Sequence, residues 1–182
     1  MVFGDIELLA GDYAAAERSL RVGLEALDAM GEQGFRSTVA AYIARALYRQ
    51  DRLDEAEELA RGAEQSSAAD DIWSKTWAGG TRAKVLARRG NDREAEQLAR
   101  EAAARIEGTD ALDLRGGALL DLADVLTLAG RKQEARAPAE DALVLFERKG
   151  NVVSAEEARR MVAQAGNLGG VTVSEGRAGP AS

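Results

Sequence analysis

The sequence has no cysteine, no histidine, only two prolines and few aromatic residues among its 182 residues. Without cysteine, disulfide bonds and thiolate metal or redox chemistry are excluded. Without histidine, the chain lacks the commonest general base and the commonest transition-metal ligand. We therefore expect no enzymatic activity, no metal and no cofactor.

The sequence also lacks the features that bring proteins to nucleic acids or membranes. Its formal net charge of −7 argues against general affinity for phosphate backbones. No stretch approaches the roughly 20 apolar residues that cross a bilayer. The start, Met1–Glu7, lacks the basic and apolar regions of a signal peptide. The default expectation is a soluble cytoplasmic protein with no nucleic-acid or membrane partner.

Alanine and leucine supply most of the apolar residues, which favours closely packed helices over sheets. Four similar segments follow one another, with starts 40, 39 and 40 positions apart. Each indicates a tight turn that opens a helix with a small residue one turn inside. The segments are Gly11–Glu17, Asp51–Glu57, Gly90–Glu96 and Gly130–Arg136.

Small residues recur at fixed offsets around these turns. Inside the segments stand Ala16, Ala56, Ala95 and Ala135. Seven positions after them stand Gly23, Ala63, Ala102 and Ala142, and seven positions before the turns stand Gly4, Ala44, Ala83 and Ala123. Such residues let helices approach to the close end of the ~8–10 Å packing range. Leu47, Leu86 and Leu126 follow on the same helix face.

This pattern resembles the tetratricopeptide repeat, although its period exceeds the usual ~34 residues and the closing proline is missing. The resemblance implies an all-α fold, a right-handed α-solenoid of antiparallel helix pairs (helices A and B), with about four repeats and a closing helix. Helices are predicted over 2–10, 12–30, 35–50, 52–67, 71–89, 91–107, 111–129, 131–149 and 152–165.

The predicted repeat domain covers residues 1–166, with a truncated first repeat. Its closing helix carries Ala163 at the small-residue position. Residues 167–182 are small and polar without periodicity, and they predict a disordered glycine-rich tail.

The first repeat would leave Phe3, Ile6 and Leu9 uncovered, although solenoids usually seal their ends. Either the chain is a C-terminal piece of a longer protein, or a partner or a second copy in a homodimer covers this end. The segment Leu145–Ala155 resembles the last repeats of large bacterial signalling ATPases, nucleotide cyclases and transcriptional regulators. Two functions follow as alternatives: a protein-interaction module, or a regulatory and sensor region of such a larger protein.

The resemblance implies a concave groove, lined by the A helices, that binds a protein or peptide segment. Positions counted from the small residue of each A helix place Tyr48 and four cations there. The cations are Arg45, Arg49, Lys84 and Arg88. They suggest an acidic ligand, whereas a solvated helix face is the alternative. Asp121 and Asp124 make the fourth repeat acidic at the same wall.

Aromatic residues add candidate contacts. Trp77 and Tyr42 can either bind a ligand or cover the core, and Trp73 shares a helix face with Trp77. The segment Gly79–Lys84 lacks the spacing and the preceding strand of a phosphate-binding loop. We expect its glycines to allow a close approach within a helix.

Overall fold

The computed structural model of the protein describes residues 2–32 and 34–166. The side chain of Phe3 and the predicted tail lie outside the described part. Nine helices and no strand occur in these ranges: α1 Val2–Ala10, α2 Tyr13–Met30, α3 Arg36–Arg49, α4 Leu53–Ser66, α5 Ile72–Arg88, α6 Asp92–Ile106, α7 Leu112–Leu128, α8 Lys132–Lys149 and α9 Val152–Gly166. The predicted all-α fold is confirmed, and the helix ends agree to within one residue.

The four aligned turns share one backbone geometry. Each begins with a residue in the left-handed region, at Gly11, Asp51, Gly90 and Gly130. Aspartate is tolerated there better than most side chains because its polar group bonds locally. The next amide always reaches back to the carbonyl five residues earlier, as in the Arg131–Leu126 bond of 2.8 Å. These bonds satisfy helix-terminal carbonyls, so every A helix ends in the same way.

In the four aligned repeats, the small residues at the predicted positions are buried where their side chains are described, except for the half-buried Gly23. The three recurrent leucines are buried with them. Close helix packing therefore explains the repeat, because a larger side chain at these positions would hold the backbones apart.

The helices pack in chain order as antiparallel pairs. In addition, α3, α5 and α7 pack directly on one another. These A helices form one layer, and the B helices α4, α6 and α8 form a second layer that packs against it. A hydrogen bond from Arg49 of α3 to Glu157 of α9 joins side chains that lie 108 positions apart in the sequence. The A layer therefore curves enough to bring its second repeat to its closing helix.

The closing helix does not repeat the predicted burial. Ala163 was expected at the small-residue position, but it is exposed. Ala155, Ala158 and Ala165 are buried instead. The prediction was wrong because that position packs on the following B helix, and no described helix follows α9.

Ion pairs connect successive repeats on the B-helix side. Glu17 pairs with Arg52, Glu57 with Arg89, and Glu96 with Arg131. Arg52 and Arg131 each bind a second glutamate three residues on. We call these three pairs the outer ladder. They join α2, α4 and α6 each to the following repeat.

Candidate functional site

A cavity of about 560 Å³ lies against the A helices. We call it the groove. Its walls come from α3, α5 and α7, and its two ends are closed by α1 and α9. Tyr13 and Phe146 contribute from α2 and α8. The curvature of the A layer thus encloses a space on the side expected for ligand binding.

The floor of the groove is a buried charge cluster centred on Asp121. Its carboxylate accepts a hydrogen bond from Arg45 at 2.9 Å and from Lys84 at 2.5 Å. Asp121 and Lys84 are each only 4% exposed. One side chain from each of three A helices meets here. Two cations sharing one buried carboxylate offset the cost of removing that carboxylate from water.

Glycines make room for this cluster. A Cβ at Gly80 would overlap the Asp121 carboxylate, and one at Gly117 would overlap the Trp77 ring. The expected close approach at the Gly79–Gly80 pair is therefore present, between α5 and α7. Both contacts lie in the groove wall, where the helices come close enough for charges to meet.

Aromatic rings cover the cations. The Arg45 guanidinium lies 4.0 Å from the Trp77 ring centre, and the Lys84 ammonium lies 4.9 Å from that of Tyr48. Tyr42 stands 6.2 Å from Trp77 in a tilted arrangement. These contacts are attractive because a cation is drawn to the face of an aromatic ring. Together with the hydrogen bonds to Asp121, these ring contacts hold the Arg45 and Lys84 side chains in place.

The rim of the groove is bridged by Arg49. It donates a hydrogen bond of 3.0 Å to Glu157 of α9, and its guanidinium lies 4.8 Å from the ring centre of Tyr13. Both members of the ion pair are about 40% exposed, at 40% and 39%. Such a pair is weak because water competes for both charges. The rim can therefore open at small cost.

Two carboxylates one turn apart on α7 have opposite electrostatic surroundings. Burial alone would raise the pKa of Asp121, but Arg45 and Lys84 hold it below its ordinary value. Burial raises the pKa of Asp124, and the negative charges of Asp121 and Glu157 add to the effect. Among the described residues, none donates a hydrogen bond or forms an ion pair with Asp124. Burial and the nearby Asp124 charge also raise the pKa of Tyr48 to about 12.

The structure brings most of the predicted site residues together. Tyr42, Arg45, Arg49, Trp77 and Lys84 line the groove. The remaining two, Tyr48 and Arg88, lie beside it. Tyr48 is turned into the core, because it packs with the buried cluster of α3. Arg88 pairs with Asp51.

The two tryptophans differ in accessibility. Trp77 is only 8% exposed, whereas Trp73 is 44% exposed on the groove wall. Of the two roles that the sequence left open for Trp77, its burial favours packing. Gly117, one repeat further on, has no side chain and so leaves room for the Trp77 ring, a signal that the sequence analysis did not use.

The lining of the groove is mixed in chemical character. No group of three or more candidate metal ligands occurs among the residues that the structure describes. In the same ranges, no helix combines the length and the apolarity that a bilayer span requires. Charged, aromatic and apolar side chains instead alternate along a groove large enough for a segment of another chain.

A curved stack of antiparallel helix pairs defines the class of helical-repeat proteins. Within that class, residues 37–63 match the family model of the tetratricopeptide repeat. The predicted resemblance to this repeat is confirmed, whereas the resemblance of Leu145–Ala155 to bacterial signalling proteins stays a prediction.

A solved structure supports the fold. The TPR-like repeats of a candidate kinesin light chain from Podospora anserina superpose with a TM-score of 0.55 and 18% sequence identity. The match covers 90% of this chain and 82% of that one. At this identity the similarity establishes the solenoid fold alone. No curated protein matches the sequence.

Proposed function

We propose that this protein is an interaction module whose groove binds a segment of another protein. The observation that carries the proposal is a groove enclosed by both ends of the solenoid, with exposed Trp73 on its wall. Tetratricopeptide repeats generally mediate protein–protein interaction. An extended segment in the groove gains burial from Trp73 and Tyr42 and polar contacts from the rim, notably Arg49.

The floor cluster holds the groove in shape in this proposal. Arg45 and Lys84 are already bound to Asp121, so they position the wall and present the Trp77 ring edge. The sequence-based hypothesis of an acidic ligand requires that ligand to displace internal carboxylates. At the floor this displacement is costly, because it leaves a buried carboxylate unpaired. At the exposed Arg49–Glu157 pair it is cheap.

Selection of peptides and a substitution in the groove test the proposal. We would select dodecapeptides that bind the whole protein from a random displayed library. Each selected peptide is then titrated into the protein while the tryptophan fluorescence is measured. The chain has two tryptophans, and both line the groove, so their emission reports its occupancy. Trp73→Ala should weaken binding about tenfold, as expected for an aromatic anchor.

Val144→Ala is the matched control, because Val144 is exposed on α8 outside the groove. Helicity measured by circular dichroism should be unchanged in both variants. Peptides that bind both variants as tightly as the wild type, and leave the emission unchanged, would contradict binding in the groove.

Exposed apolar side chains on the first helix, α1, favour a second function. Ile6 is 56% exposed on α1, beside Leu9, which is 46% exposed and lines the groove. This apolar edge supports the alternative that the chain is the regulatory or sensor region of a larger protein, whose preceding part covers α1. An immunoblot of source cells tests it: a band well above 19.3 kDa supports this alternative. A band at 19.3 kDa that sediments as a dimer supports a second copy at that edge.

A further inference from the structure

The charges that line the groove are not all neutralised within the chain, and the unmatched ones indicate a ligand. Arg45 and Lys84 are bound to Asp121, and Arg49 is bound to Glu157. The groove cations predicted to attract an acidic segment thus already have carboxylate partners. Arg160, on the exposed rim, is the groove cation without an ion pair in the described part of the chain; it donates only to the Glu156 carbonyl.

Two groove carboxylates form no ion pair with a described residue, although the charges of Lys84 and Arg49 act on Asp124 from a distance. Asp124 accepts no hydrogen bond and no ion pair from a described residue, although it is half-buried. Asp113 accepts one hydrogen bond of 3.1 Å from the neutral amide of Asn151. A carboxylate removed from water is costly unless a cation or several donors reach it. The groove therefore holds two sites where an incoming cation recovers lost solvation.

The repeat places these carboxylates at defined points. Asp113 and Asp124 are eleven positions apart on α7, which is three helical turns, so they face the same side about 16 Å apart. Trp73 stands one repeat before Asp113, at the corresponding position of the neighbouring A helix. Its exposed ring carries no cation from the described residues. A basic side chain at this end can pair with Asp113 and stack on Trp73 together.

We propose that the groove selects a protein segment with two basic side chains, lysine or arginine, four or six residues apart in extended conformation. One basic side chain pairs with Asp124, and the other pairs with Asp113 beside Trp73. An even separation puts both side chains on the same face of the segment, and four to six extended residues span about 13–20 Å, at roughly 3.3 Å each. This inference rests on the proposed function and names the chemistry of its partner, opposite in sign to that predicted from the sequence.

The dodecapeptides selected on the whole chain are the probe. We expect them to carry more lysine and arginine than aspartate and glutamate, with two basic residues near the predicted spacing. Asp124→Asn and Asp113→Asn should each weaken binding about tenfold, as for loss of one charged hydrogen-bond partner. Asp141→Asn removes the same charge from an exposed position on α8 outside the groove and should change nothing.

A double-mutant cycle locates the contact. Replacing one basic residue of the peptide by glutamine should weaken binding to the wild type and remove the sensitivity to Asp124→Asn or to Asp113→Asn. Retained sensitivity to both would overturn the pairing. Urea denaturation checks that each variant folds. We expect both variants to fold, because neither substitution removes an ion pair.

The outcomes separate this inference from the proposed function. If acidic or neutral peptides are selected and need Trp73 but neither carboxylate, the basic ligand is wrong and the groove remains the binding site. If the selected peptides bind without dependence on Trp73 and without any change in emission, the groove itself is the wrong site and both proposals fail.

Discussion

The outer ladder and the charge cluster on the groove floor are two ionic systems with opposite relations to the repeat. The ladder follows the repeat: its Glu17–Arg52 and Glu96–Arg131 pairs each span 35 positions and use equivalent residues, and the Glu57–Arg89 pair between them spans 32. The floor cluster is not periodic, since its centre, Asp121, has Tyr42 and Thr81 at the equivalent positions before the small residue. The ladder charges connect neighbouring repeats. The floor cluster departs from the repeat, and it gives the groove of this chain its own charge pattern.

Burial separates the two systems energetically. The ladder pairs are partly exposed, so each contributes little to stability. The floor cluster is buried, so it stabilises the fold only while all its members are present. Perturbing each system in turn should therefore give effects of different size, and the predictions below run from the largest to the smallest.

Removing the shared carboxylate should have the largest effect. Asp121→Ala leaves Arg45 and buried Lys84 without a partner, and it should lower the free energy of unfolding by about 3 kcal/mol. Urea denaturation followed by circular dichroism measures the change. Asp141→Ala, on an exposed site, is the control. A loss below about 1 kcal/mol would show that the cluster does not hold the floor together.

Filling a glycine at the floor should come next. Gly117→Ala places a methyl group against the Trp77 ring and should destabilise the fold by about 2 kcal/mol. Gly62→Ala is the matched control, since its Cβ meets nothing within 4 Å in the exposed part of α4. It should stabilise by about 0.5–1 kcal/mol through helix propensity. Equal effects of both substitutions would contradict the close approach.

The two carboxylates of α7 should respond to pH in opposite directions. The folded-state pKa of Asp121 is lowered, so its contribution to stability is present above about pH 4 and is lost as the pH falls through the lowered pKa. The folded-state pKa of Asp124 is raised, so its ionisation costs stability as the pH rises from about 4 through the raised pKa.

Comparing Asp124→Asn with the wild type isolates the second effect. The variant should gain stability relative to the wild type between pH 4 and pH 7, since asparagine cannot ionise. Arg49, Lys84, Asp121, Glu157 and the Tyr48 hydroxyl act on this group, so each is kept unchanged. A difference between the two unfolding free energies that stays constant with pH would show that Asp124 titrates normally.

The outer ladder should give the smallest effect. Arg131→Ala removes the contacts to Glu96 and Glu134 and should cost about 0.5–1 kcal/mol. The loss should shrink in concentrated salt, because salt screens exposed charges. Urea denaturation at low and high salt measures both. A loss as large as that of Asp121→Ala would remove the distinction between the two systems.

The periodic part of the structure could be predicted from the sequence. The recurring small residues and turns predicted all nine helices of the described ranges, because the helices of each repeat pack in the same way. The error at Ala163 arose where this periodicity loses its partner, at the closing helix. Burial there depends on which helix follows, and a local pattern does not contain that information.

The groove could be predicted only in part. Counting positions within a repeat placed Arg45, Arg49 and Lys84 on its wall, since helix faces follow from spacing alone. It did not predict the partners of these cations. Asp121 lies 76 positions from Arg45 and reaches it through the curvature of the whole stack. The burial of Trp77 likewise depends on a glycine in the neighbouring repeat.

The most direct test of the central claim uses the indole N–H signals of the two tryptophans in a two-dimensional nitrogen–proton magnetic resonance spectrum. Both indoles line the groove, so each gives a separate probe of it. The account predicts that a selected dodecapeptide shifts both indole signals and leaves the amides of α4 and α6, which contribute nothing to the groove lining, in place. A peptide that binds with both indole signals unmoved, and shifts the amides of α4 and α6 instead, would contradict the groove as the binding site.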